Sequence, residues 1–120
     1  MRVGSIVMGV SDVRRAMEFW GRALGYVPRD EPEATWVVLT SASGAGPNVS
    51  LMRSETPVQE KPRVHLDLYT SDQAGEVDRL VGLGASHVDW QDYPPDADFV
   101  VLADTEGNRF CVIQHGLPPT

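Results

Sequence analysis

Three side chains in the second half of this chain carry most of its chemical potential: His65, Asp67 and Cys111. An imidazole titrates near neutrality, so His65 is a candidate general base or ligand anchor, or else a polar residue paired with a neighbour. Asp67 follows two residues later, and in an extended strand positions i and i+2 share a face. It can orient the imidazole or act as a base itself; the plainer reading is an ion pair with a basic neighbour. Cys111 is the only thiol and falls mid-strand in "DTEGNRFCVIQH". A free cysteine in a strand reads first as a small buried apolar residue. The alternative is a thiolate beside a histidine, the starting set for a nucleophile. The flanking signatures of known cysteine hydrolases are absent.

Around these lie the residues that would shape a binding site. Arg53, Arg63 and Arg109 fall on the more polar faces of three strands. If they converge they suit an anionic ligand, since guanidinium forks match carboxylates and phosphates; otherwise they are strand ends in water. Trp36, Trp90, Tyr69 and Tyr93 are candidates for an aromatic wall, the usual lining of a small-molecule site. Phe19 and Trp20 belong to a helix, with Trp20 on its apolar stripe, and read as core. His87 and His115 are given no role.

Composition narrows the function classes. Seventeen acidic against ten basic residues leave a formal charge of −7, which repels nucleic acid and anionic membranes. One cysteine excludes an internal disulfide and fits a reducing compartment. The opening "MRVGSIVMGVSDVRR" has too short an apolar run for a signal peptide, and no segment approaches a membrane span. A cytoplasmic protein is expected.

The elements that position these residues come in two copies. "SIVMGVSD" from Ser5 and "HLDLYTSD" from His65 are both apolar strands ending in Ser-Asp, 60 residues apart. Each Asp opens a helical pattern and is suited to cap its first turn; Gly25 and Gly84 suit the C-caps. "WVVLTS" at Trp36 matches "FVVLAD" at Phe99, and "GPNVSLM" matches "EGNRFCV", pairing Leu51 with Cys111 at the same 60-residue offset. Second strands are expected near Tyr26–Arg29 and Ser86–Gln91. The result is an α+β chain of two βαβββ modules, about 1–54 and 63–115, joined by a polar linker at about 55–62. A loose tail, "GLPPT", follows. Two such modules are expected to set their sheets edge to edge, helices outside, around a curved cleft lined by the more polar strand faces.

This duplicated plan, with "SDVRRAMEFWGRALGY" and above all "VVLADTEGNRFCV", resembles the vicinal oxygen chelate superfamily: the glyoxalase, bleomycin-resistance and dioxygenase fold, in its short two-module type common in actinobacteria. The resemblance implies a homodimer. It also implies four metal-ligand positions, two per module, at Ser5, Leu51, His65 and Cys111. Only His65 has the side chain the resemblance calls for. It further implies that His65 and Cys111 approach each other, since they would share a metal in relatives.

A catalytic metal normally needs about three protein ligands. The expected reading is therefore a cleft that binds a small organic molecule, aromatic or anionic, without the usual catalytic metal or any other cofactor. Ser5, Trp36, Leu51, Arg53, Arg63, Tyr69, Trp90 and Arg109 would line it. The alternative is an enzyme of the superfamily, a lyase, isomerase or dioxygenase. It would either be metal-free, using His65 with Asp67 or Cys111, or hold a divalent metal on His65, Cys111 and Asp67, a set that suits zinc.

Overall fold

A computed structural model describes residues 1–116; beyond Gly116 the expected tail lies outside the described residues. The chain separates into two compact units, the first Met1–Pro57 and the second beginning at Val58. The division falls inside the polar segment read as a linker.

The first unit runs β1 (Ser5–Val10), α1 (Val13–Leu24), β2 (Tyr26–Pro28), β3 (Trp36–Ser41) and β4 (Asn48–Arg53). Its four strands form one mixed sheet in the order β1-β4-β3-β2, with β1 parallel to β4 and the other pairs antiparallel. Asp12 caps α1 by accepting from the Arg15 amide at 3.1 Å, and Gly25 closes it at φ 69°. The helix lies on β2, β3 and β4. There Ala16, Phe19 and Trp20 join Leu39 and Leu51 in a dry core, and Trp20 is 1% exposed.

The second unit repeats the plan: β5 (Asp67–Thr70), α2 (Gln73–Gly82), β6 (Ser86–His87), β7 (Phe99–Ala103) and β8 (Arg109–Gln114), with sheet order β5-β8-β7-β6. Asp72 caps α2 through the Gly75 amide. The helix ends on Leu83, one residue before the expected glycine. Gly84, at φ 121°, then turns the chain so that its amide reaches Val81 O and the Ala85 amide reaches Leu80 O, satisfying carbonyls a helix end leaves open.

Two expected elements are shorter than the sequence suggested. β5 begins at Asp67, so His65 lies just ahead of the strand, although Leu66 O still accepts from the Cys111 amide at 2.9 Å. β6 covers two residues rather than six. The chain from Val88 to Asp98 instead forms a loop, which holds the paired prolines Pro94 and Pro95 that cannot donate to a ladder.

One buried carboxylate organises the last hairpin. Asp104 is 4% exposed, and one oxygen accepts from the amides of Glu106 at 2.9 Å and Asn108 at 2.8 Å. Gly107, at φ 87°, completes the turn. Asp104→Ala strands those amides, so urea unfolding is expected to show a loss of about 1–3 kcal/mol. A loss within experimental error would mean the turn is held by its backbone alone.

Candidate functional site

Strand alternation in β8 determines what faces outward. Phe110 and Val112 are buried, at 2% and 1% exposure, while Arg109, Cys111 and Ile113 are half-buried on the opposite face. The parallel ladder pairs Asp67 with Cys111, and the antiparallel ladder pairs Val101 with Cys111. His65 Nε2 and Asp67 Oδ1 stand 3.0 Å apart. The three sequence candidates therefore meet: donor atoms of His65, Asp67 and Cys111 all lie within 4.8 Å of one another.

They open onto a cavity of about 350 Å³ built within the second unit. Trp90, Phe99, Val101 and Ile113 give it apolar walls, and Lys61 and Arg109 bring positive charge. The segment expected to be a linker supplies part of this wall. Glu60 O accepts from Arg109 at 2.6 Å, Lys61 pairs with Asp92 at 2.9 Å, and Pro62 lines the cavity. The Arg109 guanidinium also lies over the Trp90 ring, 6.0 Å from its centroid. Among the described residues no carboxylate pairs with Arg109. The indole Nε1 of Trp90 is buried without a hydrogen-bond partner.

Lys61, Pro62, Phe99 and Val101 were not anticipated. For the strand residues, the signal was available in the alternation of "FVVLA". For Lys61 and Pro62 there was none, because polar composition reads as a linker whether or not the segment packs.

The other candidates are placed differently. Tyr69 shares the β5 face of Asp67 but stacks on His115, centroids 4.5 Å apart, away from the cavity. Arg63 is exposed ahead of β5 and does not line the cavity. Trp36 and Arg53 border a shallow depression of the first unit, where Arg53 lies 3.8 Å from Glu55. Tyr93 donates no wall surface; its hydroxyl accepts from the Val101 amide at 2.7 Å.

Leu51 requires a correction. It is fully buried in the first unit's core, not on the open face. Ser50 pairs with Val7 and Val38, as Cys111 pairs with Asp67 and Val101, so Ser50 and not Leu51 is the counterpart of Cys111. The offset in this last strand is 61, and a one-residue slip moves a side chain to the other face. In the first unit the positions matching His65 and Cys111 are thus Ser5 and Ser50, whose hydroxyls hydrogen-bond each other at 2.6 Å.

The electrostatics of Cys111 also differ from the thiolate reading. Burial, then the Asp67 charge and its hydrogen bond, push the thiol from 9.0 up to about 11. The nearest influential charge is negative, so the free thiol stays protonated at neutral pH.

The glyoxalase-like domain family matches residues 5–113, a span that takes in both units. This chain belongs to that family. The duplicated βαβββ plan of this glyoxalase-like chain is accordingly that of the vicinal oxygen chelate fold. Among curated protein sequences none matches it. Solved structures share its fold at low identity. A glyoxalase-related enzyme from Fulvimarina pelagi aligns with TM-score 0.70 and 18% identity, over 94% of this chain and 87% of its own. TioX from Micromonospora sp. ML1 gives 0.64 and 18%, over 97% and 100%. A mutant of the fosfomycin resistance protein FosX from Listeria monocytogenes gives 0.72 and 14%, over 98% and 91%. That FosX structure is complexed with Mn(II) and 1S,2S-dihydroxypropylphosphonic acid.

A four-ligand cage for an oxygen-preferring metal does not fit the glyoxalase-like chain. Two of its positions carry neutral hydroxyls bonded to each other, and a third carries a thiol.

With the thiol raised to about 11, roughly one molecule in ten thousand carries a thiolate at pH 7. Alkylation of Cys111 is therefore expected to be slow at neutrality and to rise about tenfold per pH unit to near pH 11. Asp67→Asn should speed it at fixed pH by removing the opposing charge. A rate that levels off near pH 8 would contradict this picture.

Proposed function

We propose that this glyoxalase-like protein binds a small organic molecule with an apolar, aromatic body and an anionic group, without the four-ligand metal cage of the wider fold. The single observation that carries the reading is the cavity of about 350 Å³ in the second unit, apolar-walled and edged by Arg109 and Lys61. Its volume falls in the range typical of small-molecule sites. Arg109 is oriented by the Glu60 carbonyl and the Trp90 ring, and among the described residues no carboxylate pairs with it. A guanidinium so held can meet a carboxylate or phosphonate at little cost in ordering. His65, Asp67 and Cys111 would contact the bound molecule from the same cavity.

The two units are proposed to work as one functional domain, since one family match spans both. Sequestration is the role this site supports best. An enzymatic reading draws on the His65–Asp67 contact at 3.0 Å, which could orient the imidazole as a general base. It would be favoured by turnover of a bound compound that is lost in His65→Ala.

Tryptophan quenching by a panel of aromatic carboxylates, each with its neutral amide, tests the proposal. Trp90→Phe should remove most of the quenching. Arg109→Gln should weaken carboxylate binding about tenfold or more, the scale of a charge-assisted hydrogen bond, and leave the amides within about twofold. Equal losses for acid and amide would reduce Arg109 to a wall residue. No saturable binding by any member would overturn the proposal.

A further inference from the structure

We propose that Asp92 sets the charge of the ligand this cavity accepts. By pairing with Lys61 it leaves Arg109 as the uncompensated cation of the rim, and the cavity takes a singly charged anion in preference to a dianion. The inference rests on the small-molecule reading above and names the class of ligand for the same cavity.

The charges around the cavity differ in what they have left to offer. Lys61 and Arg109 are both part of its lining. Lys61 Nζ stands 2.9 Å from Asp92 Oδ2, so a ligand at the rim meets a dipole there and not a net charge. Arg109 donates to the Glu60 carbonyl and lies over the Trp90 ring, two uncharged partners, and among the described residues no carboxylate pairs with it. Two residues further along β8, about 7 Å away, Cys111 marks the place where His65 and Asp67 face each other at 3.0 Å. That pair adds no net positive charge in either protonation state of the imidazole. Among the described residues one full positive charge therefore remains at the cavity. It matches one anionic charge; a second would lose water against apolar walls without a counter-ion.

Most exposed ion pairs are loose, but this one is anchored on both sides. Lys61 sits between Glu60, whose carbonyl is held by Arg109, and Pro62, which lines the cavity. Asp92 precedes Tyr93, whose hydroxyl accepts from the Val101 amide at 2.7 Å and whose ring centroid lies 5.2 Å from that of Phe99. The side chains of Lys61 and Asp92 are 75% and 56% exposed, so the pair adds little to the stability of the fold. Removing it changes the field at the cavity more than it changes the structure. Asp92 is not part of the cavity lining, and it acts on a ligand through Lys61.

The test rests on how coulombic energy scales. It grows in proportion to ligand charge, so a rim change that strengthens a monoanion by some factor strengthens a dianion by the square of it. A neutral molecule is left alone. Calorimetry on the full chain compares naphthoate, naphthamide and naphthyl phosphate at about pH 8, where a phosphate monoester carries two charges. The native chain should prefer naphthoate to naphthyl phosphate. Asp92→Asn should strengthen naphthoate about threefold and naphthyl phosphate about tenfold, the scale of one exposed charge, with naphthamide within about twofold. Lys61→Gln should move both anions the opposite way. The double variant should return their ratio to the native value, because the pair as a whole carries no net charge. Salt at about 1 M, where screening reaches ~3 Å, should erase most of the Asp92→Asn gain. A native preference for naphthyl phosphate would overturn the proposal, as would a ratio unmoved by Asp92→Asn. A gain shared equally by naphthamide would also overturn it, by making Asp92 a latch and not a charge filter. No saturable binding of any of the three would overturn the small-molecule reading itself, a result distinct from bound probes with an unmoved ratio.

Discussion

The parallel pairing of β5 with β8 sets Asp67 beside Cys111, and nearly everything distinctive about the second unit follows from it. Alternation along β8 then leaves no freedom. Burying Phe110 and Val112 under α2 sends Arg109, Cys111 and Ile113 to the opposite face. A shift of one residue would bury the arginine and expose the phenylalanine, a cost no small unit can absorb. The hairpin before β8 protects that register. Asp104 gathers two amides with one buried oxygen, and Gly107 takes the positive φ that the turn requires.

The same logic explains how one duplicated plan yields two different surfaces. Both units pair their first strand parallel to their last and cover one face with a single helix. In the first unit the matching positions hold Ser5 and the buried Ser50, whose hydroxyls bond each other. In the second they hold His65 and Cys111, with Asp67 paired to Cys111 in the ladder and His65 just ahead of it. The strand plan is kept through this exchange, since both units pair first and last strands in the same parallel register. Duplication therefore preserves packing while leaving the open face free to change its chemistry.

The environment of Cys111 shows how packing and electrostatics act together. A thiol next to a histidine invites the picture of a reactive thiolate. Here the histidine is itself engaged with Asp67, and the carboxylate is the charge that Cys111 feels. Partial burial works in the same direction, since both disfavour a second negative charge. Arg109 is the complementary case. Its guanidinium sits at the cavity, steadied by a backbone carbonyl and an indole ring.

By itself the sequence determined the two-module βαβββ plan. Period-two and helical patterns, and Asp12 and Asp72 before the helices 60 residues apart, are local signals that repeat, as is a glycine after each helix. It also singled out His65, Asp67 and Cys111, because side-chain chemistry is written in residue type. Tertiary structure decided which neighbours those residues have. It assigned Ser50 in place of Leu51, since connections of different length on either side of β3 and β7 shift the offset from 60 to 61 and only strand pairing reveals the slip. It turned a polar linker into a cavity wall, because Glu60, Lys61 and Pro62 are held by Arg109, Asp92 and the strand face, all distant in sequence. And it made burial first, then Asp67 rather than His65, the influences that raise the thiol, which depend on distances and packing that composition and spacing do not encode.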